Sequence, residues 1–292
     1  MDRTKIFACL IAAALSSGCS TRNIIVVGSK NFTEQLVLGE IVAQHIEQKL
    51  HTQVERKLDL GGTLLTQRAL TSGQIDLYPE YTGTAYTNVL KHQSIGDPAA
   101  VLKTVQAEYE SRFHLRWLAP LGFNDSFAMV IRGEDARARH LKTLSDAAGY
   151  APGWTLGAGY EFLGRPDGYK SLMKTYPGLR WTGSPKSMDL GLLYQALKQK
   201  QVSMAAGNTT DGVLSALDVV VLEDDRHAFP PYQASIVVRE DALTRFPGLE
   251  AALNDLSGKI SESTMRRLNY EVDSQHRPVR VVAGEFLTGM DE

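Results

Sequence analysis

Short apolar runs that read as strands alternate along this chain with segments of helical spacing, and that alternation points to an α/β fold. Ile24-Ile25-Val26-Val27 has the pattern of a strand buried on both faces. Gly28-Ser29 breaks it. The segment from Thr33 to Leu50 then places apolar residues at Leu36, Ile41, Val42 and Ile46, a helical spacing with Thr33 as its N-cap. A second strand is predicted over 53–58, a helix over 64–71 after Gly61-Gly62, and a third strand over 75–78. Strands follow over 127–131, 154–157, 219–222 and 235–238, with a helix over 187–199 and a helix-rich tail from 248 to 268. Pro230-Pro231 marks a rigid extended connection.

The alternation contains a faint repeat. Ala69-Leu70, Gln74-Ile75, Leu77 and Thr82 recur as Ala196-Leu197, Gln201-Val202, Met204 and Thr209, each 127 positions on, and Tyr81 then aligns with Asn208. Either two α/β units resemble one another by chance, or the chain builds two similar lobes that face each other. In the second case a cleft between lobes is where a small ligand binds.

The N-terminus reads as a targeting segment, residues 1–18, and is set apart from the fold. Arg3 and Lys5 precede a short apolar run from Ile6 to Leu15, too short to span a bilayer as a mature helix, and Ser17-Gly18-Cys19 follows. Small residues ending in Cys are similar to the lipobox of bacterial lipoproteins, in which Cys19 would carry the lipid; Ser16 stands where that box usually has Leu. The alternative is a plain cleaved signal with an incidental Cys. Cys9 and Cys19 are the chain's two cysteines, so the mature protein has no pair to oxidise and no thiol cluster for a metal. The formal net charge of -2 implies no basic field for nucleic acid.

Templates for catalysis are missing. There is no Gly-x-Ser-x-Gly elbow or Walker loop, and Gly157-Ala158-Gly159 has Phe162 where a dinucleotide fingerprint needs its third Gly. The seven His residues show no helical zinc spacing. The sequence therefore predicts no catalytic residue, no metal and no cofactor. Aromatic clusters carry more information. Tyr78-Pro79-Glu80-Tyr81-Thr82-Gly83-Thr84 follows a predicted strand, Phe123 and Phe127 flank Asn124-Asp125, Tyr160 and Phe162 precede Arg165, and Tyr232 follows the two prolines. Each alone is ordinary packing, but loops at the carboxyl ends of strands line ligand crevices in α/β sheets.

The segments Gly28-Ser29-Lys30-Asn31-Phe32-Thr33-Glu34-Gln35, Tyr78 to Thr84, Thr210-Asp211-Gly212, and Leu222-Glu223-Asp224-Asp225 with Phe229-Pro230-Pro231-Tyr232 resemble the glycine betaine/carnitine/choline-binding proteins of osmoprotectant ABC transporters. The likeness runs from about Ile24 to near the C-terminus. It implies a two-lobed type II periplasmic-binding-protein fold with a ligand cleft between the lobes, residues 24–125 plus 232–292 forming one lobe and 126–231 the other. It also implies a monomer on the periplasmic or extracellular side of the cell envelope, lipid-anchored to the membrane and delivering its ligand to a permease and ATPase.

A trimethylammonium group has a permanent charge and no N–H, so aromatic faces discriminate it better than hydrogen bonds do. Each ring contributes ~0.5–2 kcal/mol, and three or four together approach the roughly 8 kcal/mol of a micromolar complex. The resemblance assigns the cage to Tyr81, Phe127, Asn208 and Tyr232, with Phe127 and Asn208 standing where the family has Tyr. Asn208 removes one wall. It assigns a carboxylate clamp to Lys30, Thr84 and Arg165, and places Asp125 beside the cage. Lys30 and Arg165 could each instead be solvated surface charge. Retention of the clamp favours a zwitterion such as glycine betaine or carnitine over choline. The alternatives are a bulkier betaine such as ergothioneine, a polar amino acid using the Asn208 amide, or an enzyme or sensor on the same scaffold.

Overall fold

Two five-stranded sheets are built to one plan. The computed structural model describes residues 24–150 and 153–291, and both the targeting segment and Cys19 lie outside them. The first sheet contains β1 (Ile25–Gly28), β2 (Val54–Lys57), β3 (Leu77–Tyr81), β4 (Leu115–Trp117) and β10 (Ala234–Arg239), and the second contains β5 (Phe127–Arg132), β6 (Leu156–Ala158), β7 (Lys186–Ser187), β8 (Met204–Asn208) and β9 (Val219–Leu222). Their orders are β2-β1-β3-β10-β4 and β7-β6-β8-β5-β9. In each, three parallel strands are followed by an antiparallel one that pairs with the fifth. β3 and β8 therefore occupy the same place, and Tyr81 and Asn208 are their last residues.

The repeat extends to the turns. After helix Thr63–Thr71, Gln74 and Ile75 donate to the Ala69 carbonyl at 2.9 and 3.3 Å; after helix Leu190–Lys198, Gln201 and Val202 donate to that of Ala196 at the same two distances. Gly73 and Lys200, also 127 apart, both adopt left-handed backbone, with φ of 75° and 60°. Glycine does so without steric cost, whereas a residue with a Cβ pays roughly 1–2 kcal/mol.

Each half buries its own apolar faces. Helix Thr33–Leu50 is buried nearly all round, since it packs on β1, β2 and β3 on one side and on helices Leu249–Asn254, Glu262–Asp273 and Val279–Asp291 on the other. Its buried residues include Val37, Leu38, Ile41, Val42 and Ile46, while Leu36 is only half-buried. Full burial of one such side chain contributes about 1.5–3 kcal/mol.

Several predicted boundaries move, for identifiable reasons. Phe32, not Thr33, holds the N-cap position, and the Thr33 hydroxyl turns to Asp273 Oδ1 at 2.5 Å. The third strand is shifted from 75–78 to Leu77–Tyr81, because Gln74 and Ile75 are consumed in the helix-terminating turn. The Asp76 carboxylate meanwhile takes the Val26 N–H at 2.8 Å. Tyr78 to Tyr81 thus belong to the strand itself. Trp154 lies in an isolated bridge to Trp181 rather than in β6, and Ser187 in β7 rather than in a helix. Helix Pro98–Phe113, capped by Asp97, was not anticipated.

The chain passes between the sheets twice, and the two passages lie side by side. Asp125 N–H donates to the Tyr232 carbonyl at 3.0 Å, Tyr232 N–H to Asn124 Oδ1 at 2.6 Å, and Ala234 N–H to the Phe123 carbonyl at 3.1 Å. This antiparallel pair joins the lobes and sets Asp125, Phe127 and Tyr232 between them.

Candidate ligand-binding site

A cavity of about 420 Å³ lies between the two lobes. Lys30 reaches it from the loop after β1, Tyr81 from the end of β3, and Thr84 from the following turn. Asp125 comes from the first crossover, Phe127 from the start of β5, and Arg165 from the loop after helix Tyr160–Gly164. Asn208 ends β8, and Tyr232 belongs to the second crossover. All eight residues singled out in the sequence line this one cavity. The antiparallel register explains part of the convergence: Asn208 pairs directly with Phe127, as Tyr81 pairs with Ala234, two residues past Tyr232.

The two basic residues are not surface charges. Lys30 is 3% exposed and Arg165 8%. Lys30 is ion-paired to buried Glu80, and its Nζ stands 5.0 Å from the centroid of the Tyr81 ring. Arg165 binds Asp167 through two parallel bonds, Nε to Oδ1 at 2.9 Å and Nη2 to Oδ2 at 2.5 Å, and Nη2 also donates to Thr84 Oγ1 at 2.9 Å. Burial works to raise the Asp167 carboxyl, but the Arg165 charge and hydrogen bonds outweigh it and hold the group below its ordinary range. A buried guanidinium without such a partner would be strongly destabilising.

The aromatic residues are positioned by their neighbours. Phe127 meets Phe162, Phe229 and Tyr232 edge to face, at ring separations of 5.0, 5.5 and 5.6 Å. The Arg165 guanidinium lies 5.0 Å from its centroid and 5.8 Å from that of Tyr232. The Tyr232 hydroxyl donates to Asp167 Oδ2 at 2.7 Å, and the Tyr81 hydroxyl to Glu34 Oε1 at 2.7 Å. These bonds orient the two rings. Tyr160 lies at the rim, 55% exposed.

Sequence reasoning missed an acidic side of the same cavity. Glu34, Asp211 and Asn269 line it together with Asp125. Glu34 Oε2 accepts from Asn269 Nδ2 at 3.0 Å, Asp125 Oδ1 accepts from the Thr210 hydroxyl at 2.7 Å, and Asp211 accepts from Tyr194 and from the Asn208 N–H. Burial pushes the Glu34 carboxyl up to about 7 and that of Asp211 to about 6, and raises Asp125 as well. Glu34 and Asp211 stood within quoted segments, but the sequence carries no signal that their side chains share a cavity. Asn269 sits 235 residues from Glu34, and only packing of helix Glu262–Asp273 against both lobes brings them together.

The lobes also touch around the cleft. Thr63 donates to Glu161 Oε2 at 3.1 Å, and the Tyr160 hydroxyl to Asn31 Oδ1 at 3.4 Å. Together with the Arg165–Thr84 bond, these contacts hold the two halves around the cavity. Among the described residues no group of His, Cys, Asp and Glu is arranged to hold a metal ion, and no helix is long and apolar enough to cross a membrane.

Comparison with known proteins agrees with this architecture. Residues 23–289 match the family described as the substrate binding domain of ABC-type glycine betaine transport systems. The ergothioneine transport permease/ergothioneine binding protein EgtU of Helicobacter pylori is 37% identical over 265 residues, covering 90% of this chain, which spans about half (47%) of that relative's length. The carnitine transport binding protein OpuCC of Listeria monocytogenes is 34% identical, with 92% of this chain and 88% of the relative covered. A solved glycine betaine/carnitine/choline ABC transporter structure superimposes with a TM-score of 0.77 at 33% identity, over 91% of this chain and 98% of that one. The chain belongs to the substrate-binding-domain family of ABC-type glycine betaine transport systems, with a type II periplasmic-binding-protein fold and a non-catalytic, extracytoplasmic role in an importer for a small polar or charged solute.

Proposed function

We propose that the cavity captures a quaternary-ammonium zwitterion, glycine betaine, carnitine or a related betaine, and presents it to a permease and its ATPase. The observation that carries this reading is the meeting of Tyr81, Phe127 and Tyr232 with Lys30, Thr84 and Arg165 in one cavity, from five separate stretches of chain. The rings would receive the cationic head and attract it through their faces. Lys30 and Arg165, each already fixed by a carboxylate, would turn their remaining N–H groups to the ligand's acid end, with the Thr84 hydroxyl beside them.

Residues 24–125 with 232–292, and 126–231, are proposed as the two lobes. A ligand touching Lys30 and Tyr81 on one and Arg165 and Asn208 on the other favours the closed arrangement by its differential affinity. The lipid on Cys19 is proposed to keep the protein at the membrane.

A bulkier betaine is the second reading, and Asn208 favours it. That residue occupies in the second sheet the place Tyr81 holds in the first and brings a short amide side chain to the cavity instead of a ring. The cavity falls within the ~300–1,000 Å³ usual for small-molecule sites, and two relatives are named for ergothioneine and carnitine.

Calorimetric titration of the soluble form beginning at Ser20, against glycine betaine, carnitine, choline, ergothioneine and proline betaine, tests the proposal. Micromolar binding of a carboxylated member, tighter than choline, is expected. Silence across the whole panel removes the reading.

A further inference from the structure

Glu34 and Asp125 are buried against the cavity with the half-buried Asp211 beside them, and among the described residues no Lys, Arg or His forms an ion pair with any of the three. The two basic residues among the described residues that line the cavity are engaged elsewhere, Lys30 by Glu80 and Arg165 by Asp167. Glu34 and Asp125 are tied to one another through two residues, Thr210 and Asn269. The Thr210 hydroxyl donates to Asp125, and the Thr210 carbonyl accepts at 2.9 Å from the same Asn269 amide that donates to Glu34. Asn269 Oδ1 has no hydrogen-bond partner at all, although the residue is 3% exposed and lines the cavity.

The groups facing Glu34 from each packed element offer no counter-charge. They are the Tyr81 hydroxyl from β3, Asn269 and Asp273 from helix Glu262–Asp273, Thr210 and Asp211 after β8, Asp125 from the crossover, and Lys30, which Glu80 holds. An ionised carboxylate buried without a cation is expensive, and two close together cannot both ionise cheaply. The burial that raises both groups agrees with this arrangement.

Taking the cavity as the quaternary-ammonium site argued above, we propose that Glu34 and Asp125 together form the counter-anion of the bound cation, so that capture of a permanent cation expels a proton from the pair to solvent. The exchange breaks one carboxyl O–H bond, leaves the charge on the carboxylate and puts the proton on buffer; no other bond changes. Glu34 and Asp125 thereby select for a permanent positive charge, which a neutral isostere of the same shape cannot supply.

The test is titration of the intact soluble protein with glycine betaine, carnitine and ergothioneine at pH 6, 7 and 8, each in two buffers of different ionisation enthalpy. The expected result is an apparent enthalpy that changes with buffer, corresponding to release of up to about one proton per ligand near pH 6 and much less at pH 8, with affinity rising about tenfold over the interval. Glu34→Gln should abolish most of the buffer dependence and flatten the pH profile. Should that variant fail to fold, Asp125→Asn provides the same readout. Tight binding with buffer-independent enthalpy and constant affinity across this range overturns proton exchange while leaving the ligand class standing. Absence of binding by all three at every pH overturns both.

Discussion

Arg165 Nη2 donates to Thr84 Oγ1 at 2.9 Å, joining side chains 81 residues apart from opposite lobes, while the same guanidinium is gripped by Asp167. One residue thus contributes to the cleft's closure and to the proposed clamp. A lysine would keep the charge but lose the planar fork. Arg165→Lys is expected to weaken carnitine and glycine betaine at least about tenfold and choline by about threefold or less. Equal losses for all three ligands, measured by titration, would mean that Arg165 does not hold the acid end.

Tyr81 and Tyr232 are each fixed by a hydroxyl bond to a carboxylate, to Glu34 and Asp167 respectively. Tyr81→Ala and Tyr232→Ala should each weaken binding at least about tenfold, the loss of one ring face from a desolvated cage. Unchanged affinity in both variants removes the cage. Replacement of either by Phe keeps the face but frees a buried carboxylate oxygen, so a smaller loss accompanied by lower thermal stability is expected.

Asn208 ends β8 as Tyr81 ends β3. Asn208→Tyr should restore a fourth wall and tighten glycine betaine by about threefold to tenfold. Ergothioneine, if it fills the space Asn208 leaves, should weaken in the same variant. The pair of titrations distinguishes a missing ring from a widened pocket.

Gly62 sits where the lobes meet. A Cβ placed there would lie 2.2 Å from Glu161 Oε1 and 2.9 Å from the Tyr160 hydroxyl, while its backbone is extended and open to any residue. Both contacts are the ends of flexible side chains and can swing aside, at the expense of the Thr63–Glu161 bond. Gly62→Ala should therefore cost about 1 kcal/mol of closure, read as a severalfold weaker ligand with unchanged melting temperature.

The Glu34 carboxyl, raised by burial from 4.5 to about 7, makes stability depend on pH. Between those values the folded protein holds a proton that the unfolded chain has released. Its contribution is therefore complete below the unfolded value and is lost as pH rises through about 7. Relative to Glu34→Gln, the unliganded protein should lose up to about 3 kcal/mol of unfolding free energy between pH 5 and 8. Parallel denaturation curves for the two proteins across that interval would refute this.

All eight predicted residues line a single cavity. Lys30, Tyr81, Thr84 and Asn208 lie at a strand's carboxyl end or just after it, where the crevice of an α/β sheet forms, whereas Asp125 and Tyr232 enter on the crossovers and Phe127 at the start of β5. Boundaries fared less well. Asp76 and Ile75 read as strand by composition, but turn hydrogen bonds and the Val26–Asp76 bond decided the register of β3. Helix Thr33–Leu50 gave a diffuse apolar pattern since both its faces are covered.

By itself, then, the order of residues determined the α/β alternation, the repeat at 127 residues, the aromatic and basic members of the site, and the departure at Asn208. Tertiary structure alone decided which acids accompany them: Glu80 on Lys30, Asp167 on Arg165, and Glu34 beside Asp125 through Thr210 and Asn269. The reason is physical. Periodicity records which face of an element is buried, whereas the charge state of a buried acid depends on partners that packing brings in from distant parts of the chain.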